Sequence, residues 1–216
     1  MSQSKGRSVS SPLGRRLPNP ELVGKVQTVL GPIPSDTLGV TMTHEHLLVD
    51  LSPLLPAPTE ASRRATFFAP LSIELLGALN YGGRVNLDNS RLLDVDTAIA
   101  EAMHYRRAGG HAIVEATSVG IGRDPDGLRQ IAIATGLNII MGASYYLATS
   151  HPSNMGDKSE DDIVAEIVRD VVDGVGQSGV RAGVIGEVGC SWPLTPNRKG
   201  SSRPGSRSAR TTSSRS

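Results

Sequence analysis

Apolar residues in the middle of the chain follow two alternating patterns. Short runs rich in aliphatic residues predict strands at residues 23–30, 38–43, 111–115, 137–142 and 180–187. Between the later runs, apolar positions recur at helical spacing and predict helices at residues 94–108, 124–135 and 159–175. Gly109-Gly110 and Gly136 follow two of these helices directly, as is typical of helix C-termini.

This order of strands and helices predicts an α/β fold with a parallel sheet covered by helices. The pattern alone leaves two architectures open, a TIM (β/α)8 barrel represented by its first four units and an open doubly wound sheet. No GxGxxG motif follows the first strand, which weakens a dinucleotide-binding interpretation. A complete barrel needs eight strands and roughly 250 residues, and the predicted β-α-β-α-β-α-β order supplies about half of those strands.

Two connections are less regular than the rest. Gly31-Pro32 predicts a turn between the first two strands. Residues 50–93 form a long, weakly patterned segment in which only a short helix at residues 73–79 is predicted. A connection of this length is unusual in a compact domain unless it has a task such as covering a site.

Charge divides the chain into three segments. All 21 acidic residues lie within residues 21–195, where only 12 basic residues oppose them, so this segment carries a net charge of −9. Residues 1–20 and 196–216 contain Lys and Arg but no acid, and they show no hydrophobic period. We therefore expect one barrel-like segment between two disordered tails. A transit peptide is the alternative for residues 1–20.

Composition limits location and partners. No window of 18 apolar residues indicates a transmembrane helix. The single cysteine, Cys190, excludes an internal disulfide framework and fits a reducing compartment, so a cytoplasmic location is expected. The Arg-rich tail at residues 196–216 allows only electrostatic association with nucleic acid, and no nucleic-acid-binding module accompanies it, so this partner is not expected.

The sequence Thr43-His44-Glu45-His46 at the end of a predicted strand is the best candidate for metal binding. Residues two apart in a strand point to the same side, so His44 and His46 are expected to project together while Glu45 points away. Imidazoles are good ligands for Zn²⁺. The alternative is a chance pair of polar histidines at a strand end.

Glu187 closes the last predicted strand within Gly186-Glu187-Val188-Gly189. Active sites of parallel barrels form at the carboxyl ends of the strands, and a carboxylate there can bridge two cations. The alternative is a solvated glutamate. Glu115, Asp124, Tyr145 and Tyr146 also follow predicted strands, and we interpret each as a structural or rim residue.

Four blocks of sequence, in order, resemble the phosphotriesterase family of the amidohydrolase superfamily, and its phosphotriesterase-related branch in particular. They are GKVQTVLGPI followed by TMTHEHLLVD, then HAIVEATSVGIGRDPDGLRQIA, NIIMGASYY and GVIGEVGCSWPLT. The resemblance covers about residues 23–195. It implies the N-terminal half of a TIM barrel.

The resemblance also implies a hydrolase with two divalent metal ions, expected to be Zn²⁺, that cleaves an amide or ester bond in a small molecule with a water of lowered pKa. In that family the HxH pair holds the buried metal, which assigns this role to His44 and His46. Glu187 falls at the position of the metal-bridging group. The animal branch of the family is similar to N-acyl amino-sulfonate amidases, and the sequence by itself assigns no substrate to this chain.

Three further family ligands have no counterpart before residue 196. They are two histidines from the fifth and sixth strands and an aspartate from the eighth. We therefore expect the chain by itself to be an incomplete, catalytically inactive hydrolase. The alternative is a fragment without enzymatic activity that binds a partner or does not fold.

Overall fold

The computed structural model describes residues 22–82 and 85–189. The strands of these residues are β1 (Lys25–Thr28), β2 (Gly31–Pro34), β3 (Thr41–Glu45), β4 (Val49–Asp50), β5 (Arg91–Leu92), β6 (Ala112–Glu115), β7 (Asn138–Ala143) and β8 (Val184–Ile185). The α-helices are α1 (Ala61–Phe68), α2 (Ile73–Gly82), α3 (Val95–Arg107), α4 (Pro125–Thr135) and α5 (Glu160–Val172).

The central sheet contains four parallel strands in the order β3-β6-β7-β8. Helices α3, α4 and α5 connect successive strands. Each new strand is added on the same side of the previous one, whereas a doubly wound sheet reverses its order at a switch point. The described strands show no such reversal and form a parallel half-barrel sheet.

The core lies between this sheet and the helices. Ile113, Ile139 and Met141 of the strands are at most 2 % exposed and belong to one cluster with Leu128 and Ile131 of α4. The spacing of Leu128, Ile131 and the following Ala132 places them on one face of the helix. The apolar residues that recur at helical spacing in the sequence therefore form the face of the helix that packs against the sheet.

The three predicted helices are confirmed to within a few residues, and their N-terminal caps explain where they begin. The carboxylate of Asp94 accepts the Thr97 N–H at 2.7 Å and caps the start of α3. The carboxylate of Asp124 accepts the Gly127 N–H at 3.0 Å and caps the start of α4. Ser159 and Asp162 form a reciprocal capping box at the start of α5. Asp124 is thus a structural residue, as expected.

The prediction of a turn at Gly31-Pro32 is wrong. The chain reverses at Val29 and Leu30, and Gly31 is already the first residue of β2, paired with Thr28. Val29 is drawn inward, because it is 5 % exposed and its N–H donates to the Ile139 carbonyl at 2.9 Å. Burial of Val29 against the start of β7 overrides the local turn preference of the Gly-Pro pair.

The long connection contains more structure than its sequence predicts. The short helix expected at residues 73–79 is the longer α2, and α1 was not predicted because Phe67 is its only buried residue. Strands β4 and β5 pair antiparallel at the base of this insertion. Inside it, the buried Asn86 amide donates to the Thr66 and Ala69 carbonyls at 2.8 Å.

The predicted tails at residues 1–20 and 196–216 lie outside the described residues and remain predictions. In the described part of the chain, every helix is too short or too polar to cross a membrane.

Gly136 tests how the end of α4 is fixed. It adopts the left-handed conformation, with φ of 68°, and its N–H donates to the Ala132 carbonyl. No atom would obstruct an added methyl group, so Gly136→Ala should lower the free energy of unfolding by about 1–2 kcal/mol through backbone strain alone. Urea denaturation followed by circular dichroism measures this change.

Gly77→Ala is the matched control, because Gly77 lies within α2 and is equally unobstructed, but without a positive φ. There the methyl group should raise stability by up to about 1 kcal/mol. Equal effects of the two substitutions would contradict this account of the end of α4.

Candidate metal centre

The two histidines lie where β3 ends, next to a break in its pairing with β6. Met42 pairs with Ile113, but Glu45 pairs with Glu115, so β3 holds one extra residue between the two pairs. Such a bulge redirects the side chains that follow it. The bulge has no evident signal in the sequence.

His44 and His46 approach the same oxygen of Glu187. The distance from Nε2 to Oε2 is 3.7 Å for His44 and 3.4 Å for His46. The expectation that the two imidazoles project together is thus confirmed. One potential ligand atom from each of the three predicted site residues lies within 4.8 Å of the other two.

Backbone hydrogen bonds fix Glu187 just after β8. Its N–H donates to the Ala116 carbonyl at 3.3 Å, and its carbonyl accepts the Ser144 hydroxyl at 2.8 Å. The preceding Gly186 passes so close to Gly142 that a Cβ on Gly142 would lie 2.8 Å from the Gly186 Cα. Glycine at both positions is therefore what allows Glu187 to reach the histidines.

The spacing of the three side chains fits a shared cation. Zn²⁺ ligands at bond lengths of 2.0–2.1 Å in a tetrahedron lie about 3.4 Å apart, close to the observed separations of 3.4 and 3.7 Å. Burial lowers the pKa of His46 despite the nearby charge of Glu187. A neutral imidazole therefore faces a carboxylate, and a cation between them would satisfy both.

A second layer of polar groups lies behind His46. The Nδ1 atom of His46 is 2.9 Å from the Thr117 hydroxyl, which also contacts Glu115. Thr117 and Glu115 are fully buried, and burial raises the pKa of the Glu115 carboxyl to about 7, against the opposing effect of its hydrogen bonds. Glu115 is thus part of the core rather than the rim. The sequence feature that could have indicated burial of Glu115 is its position directly after the apolar run Ala112-Ile113-Val114.

The two tyrosines after β7 have different surroundings. Burial, the charge of Glu187 and a hydrogen bond to that carboxylate raise the pKa of Tyr146, so this phenol belongs to the site rather than to its rim. The Tyr145 hydroxyl donates to Glu166, which also accepts from Lys158 at 2.7 Å. Tyr145 therefore ties the strand end to α5 and is structural, as expected.

A TIM-barrel-like α/β half-barrel with imidazole and carboxylate groups at the carboxyl ends of its strands is the arrangement of metal-dependent barrel hydrolases. A sequence model of the phosphotriesterase family, which is such a family, matches residues 24–203, and the chain belongs to this family. The resemblance inferred from residues 23–195 is confirmed, and the match extends past its expected end.

Similar proteins include N-acetyltaurine hydrolases from several organisms. The chain is 40 % identical to that of Salmo salar and 35 % identical to that of Homo sapiens, in each case over 179 residues, which are 82 % of this chain and 51 % of the relative. A resiniferatoxin-binding protein from Rhodobacter sphaeroides has a TM-score of 0.76 at 44 % identity, covering 81 % of this chain and 49 % of that one. The chain spans about half the length of these relatives.

We expect the double substitution His44→Ala, His46→Ala to remove measurable affinity for Zn²⁺, because it deletes two of the three clustered ligands. Isothermal titration of the purified chain measures this. His104→Ala is the control, since His104 is an exposed histidine in the last turn of α3. Unchanged Zn²⁺ affinity in the double variant would exclude this cluster as the metal site.

Glu115 should impose a pH dependence on stability. Its ordinary pKa is 4.5 and its folded value is about 7, so between these values the folded protein keeps a proton that the unfolded chain has lost. The resulting contribution to the free energy of unfolding is fully present below about pH 4.5 and is lost as the pH rises through 7. The total loss is about 3 kcal/mol.

Urea denaturation of metal-free protein across this range, compared with Glu115→Gln, isolates the effect. The stability difference between the wild type and the variant should shrink or reverse as pH rises. The exposed Glu101→Gln should give a difference that does not vary with pH. A constant difference for Glu115→Gln as well would mean that Glu115 is ionised throughout.

Proposed function

We propose that this chain carries the first part of the metal site of an amide hydrolase that acts on an N-acyl amino-sulfonate of the N-acetyltaurine type. The observation that carries the proposal is the convergence of His44, His46 and Glu187 at the carboxyl ends of the half-barrel strands. The names of the relatives supply the substrate class.

Zn²⁺ is the proposed ion, because two imidazoles and a carboxylate form a typical ligand set for it. In this proposal His44 and His46 would hold one ion. Glu187, whose Oε2 faces both imidazoles, would share its carboxylate between this ion and a second one. Two histidines and an aspartate, implied by the family resemblance, would complete the ligand set.

A bound divalent cation supplies Lewis-acid activation of water and of the substrate carbonyl. The residues of this chain hold and orient the groups around that chemistry. Burial raises the pKa of the Tyr146 phenol, and Tyr146 lies close enough to the Glu187 carboxylate for the charge of Glu187 to raise that pKa further. Tyr146 would therefore border the bound ion. The hydrogen bonds of the Glu187 backbone with the Ala116 carbonyl and the Ser144 hydroxyl fix its position at the carboxyl ends of the strands.

Zinc content and the thermal transition test the metal site in the chain as it stands. Elemental analysis should find zinc in the purified protein, and circular dichroism should show a cooperative melt. Absence of both would favour the alternative of a fragment that does not fold.

A chimera tests the activity. Residues 1–195 joined to the remaining half of the Salmo salar relative should release taurine and acetate from N-acetyltaurine, whereas the 216-residue chain alone should not. In the chimera, Glu187→Ala should reduce turnover by more than the roughly 100-fold that loss of an outer hydrogen bond costs a metal site.

The control substitution in the chimera is Glu101→Ala, an exposed site on α3, which should leave turnover unchanged. Zinc-dependent hydrolysis by the unmodified 216-residue chain would contradict the expectation that it is incomplete. Full activity of the Glu187→Ala chimera would contradict the bridging role.

A further inference from the structure

Behind the proposed metal ligands, three side chains form a continuous line of hydrogen bonds. His46 Nδ1 lies 2.9 Å from Thr117 Oγ1, and the same hydroxyl contacts Glu115 Oε1. Thr117 and Glu115 are both fully buried. The line runs from the proposed metal ligand into the core and ends at the Glu115 carboxyl group.

When Glu115 is ionised, as at pH values well above 7, the donors and acceptors along this line have one consistent assignment. Glu115 Oε1 accepts the Leu47 N–H and Glu115 Oε2 accepts the Thr117 N–H, each at 3.2 Å. An ionised carboxylate can only accept, so the hydrogen between Thr117 Oγ1 and Oε1 then comes from the threonine. A hydroxyl has one proton to donate, so toward His46 the Thr117 oxygen can only accept, and His46 must carry its proton on Nδ1.

We infer that Thr117 and Glu115 are positioning residues that hold His46 as the Nδ1–H tautomer, with the lone pair of Nε2 directed at the space beside Glu187. This inference rests on the proposed metal site, since a lone pair there matters only to a cation. Metal-binding histidines are generally oriented in this way through their second nitrogen. Here the buried Glu115 carboxyl group orients the Thr117 hydroxyl, and that hydroxyl in turn orients His46.

His44 provides an internal contrast. Its side chain is 57 % exposed, against 31 % for His46. Within the described ranges of the chain, its ring makes contact only with His46 and Glu187. Among these described residues, none forms a hydrogen bond with Nδ1 of His44, so its tautomer is not fixed from behind the ring as that of His46 is. His46 is therefore the ligand that is oriented before any ion arrives, and His44 must be ordered on binding.

The location of Glu115 supports a role beyond packing. A carboxyl group without solvent contact is costly to bury. In the described part of the chain, the hydrogen bonds of Glu115 go to the segment that follows His46 and to Thr117. An aliphatic side chain would fill this core position without that cost. The acidic group is therefore explained by what it does to Thr117, and through it to His46.

The test uses the full chain and separates orientation from metal binding. In metal-free protein at about pH 8, above the ordinary imidazole pKa, ¹H–¹⁵N NMR of the histidine rings should show His46 as the Nδ1–H tautomer and His44 as a mixture. Thr117→Val should turn His46 into a mixture and weaken Zn²⁺ binding by about 10–100-fold. Thr117→Ser, which keeps the hydroxyl, should restore both properties.

Thr135→Val is the matched control, because Thr135 is also buried and its hydroxyl donates to the Ile131 carbonyl, away from the site. It should change neither the tautomer nor the Zn²⁺ affinity, whatever its effect on stability. An unchanged His46 tautomer in Thr117→Val, or loss of the tautomer in Thr117→Ser, overturns the inference.

The two proposals fail in different ways. Wild-type protein that binds no Zn²⁺ but holds His46 as the Nδ1–H tautomer would overturn the proposed function and support the orientation by Thr117. Wild-type protein that binds Zn²⁺ with His46 as a mixture would support the metal site and overturn the orientation.

Discussion

The backbone of Ala116 joins the two sides of the candidate site. Its N–H donates to the Glu45 carbonyl at 2.8 Å, and its carbonyl accepts the Glu187 N–H at 3.3 Å. In a flat sheet the outer strands β3 and β8 would lie about 14 Å apart, three spacings of about 4.8 Å. These two hydrogen bonds draw their carboxyl ends together across the sheet. The contact of both histidines with Glu187 depends on the curvature that results.

Much of this arrangement could be predicted from the sequence, because it depends on local patterns. Helix α4 has apolar residues at helical spacing, an N-terminal Asp124 cap and a terminal Gly136, so its bounds were predictable. His44 and His46 were identifiable from their spacing, and Glu187 from its place at a strand end. These signals each lie within a few residues of sequence.

What the sequence could not predict depends on contacts between distant segments. The turn at Val29 follows from a hydrogen bond to Ile139, 110 residues later. The roles of Glu115 and Thr117 depend on His46, from another strand, reaching them. Helix α1 buries only Phe67 and has no clear apolar period. In each case the partner, rather than the local residue, determines the outcome.

The outer position of the proposed ligands has a topological consequence. His46 and Glu187 lie about 140 residues apart in sequence, just after the two edge strands of the described sheet, β3 and β8. An ion held between them closes a loop that contains most of the described chain. Such closure removes conformational entropy from partly opened states, and the effect grows with loop length. Strand β8 has only two residues paired with β7, so it is the element whose detachment such an ion would most restrain.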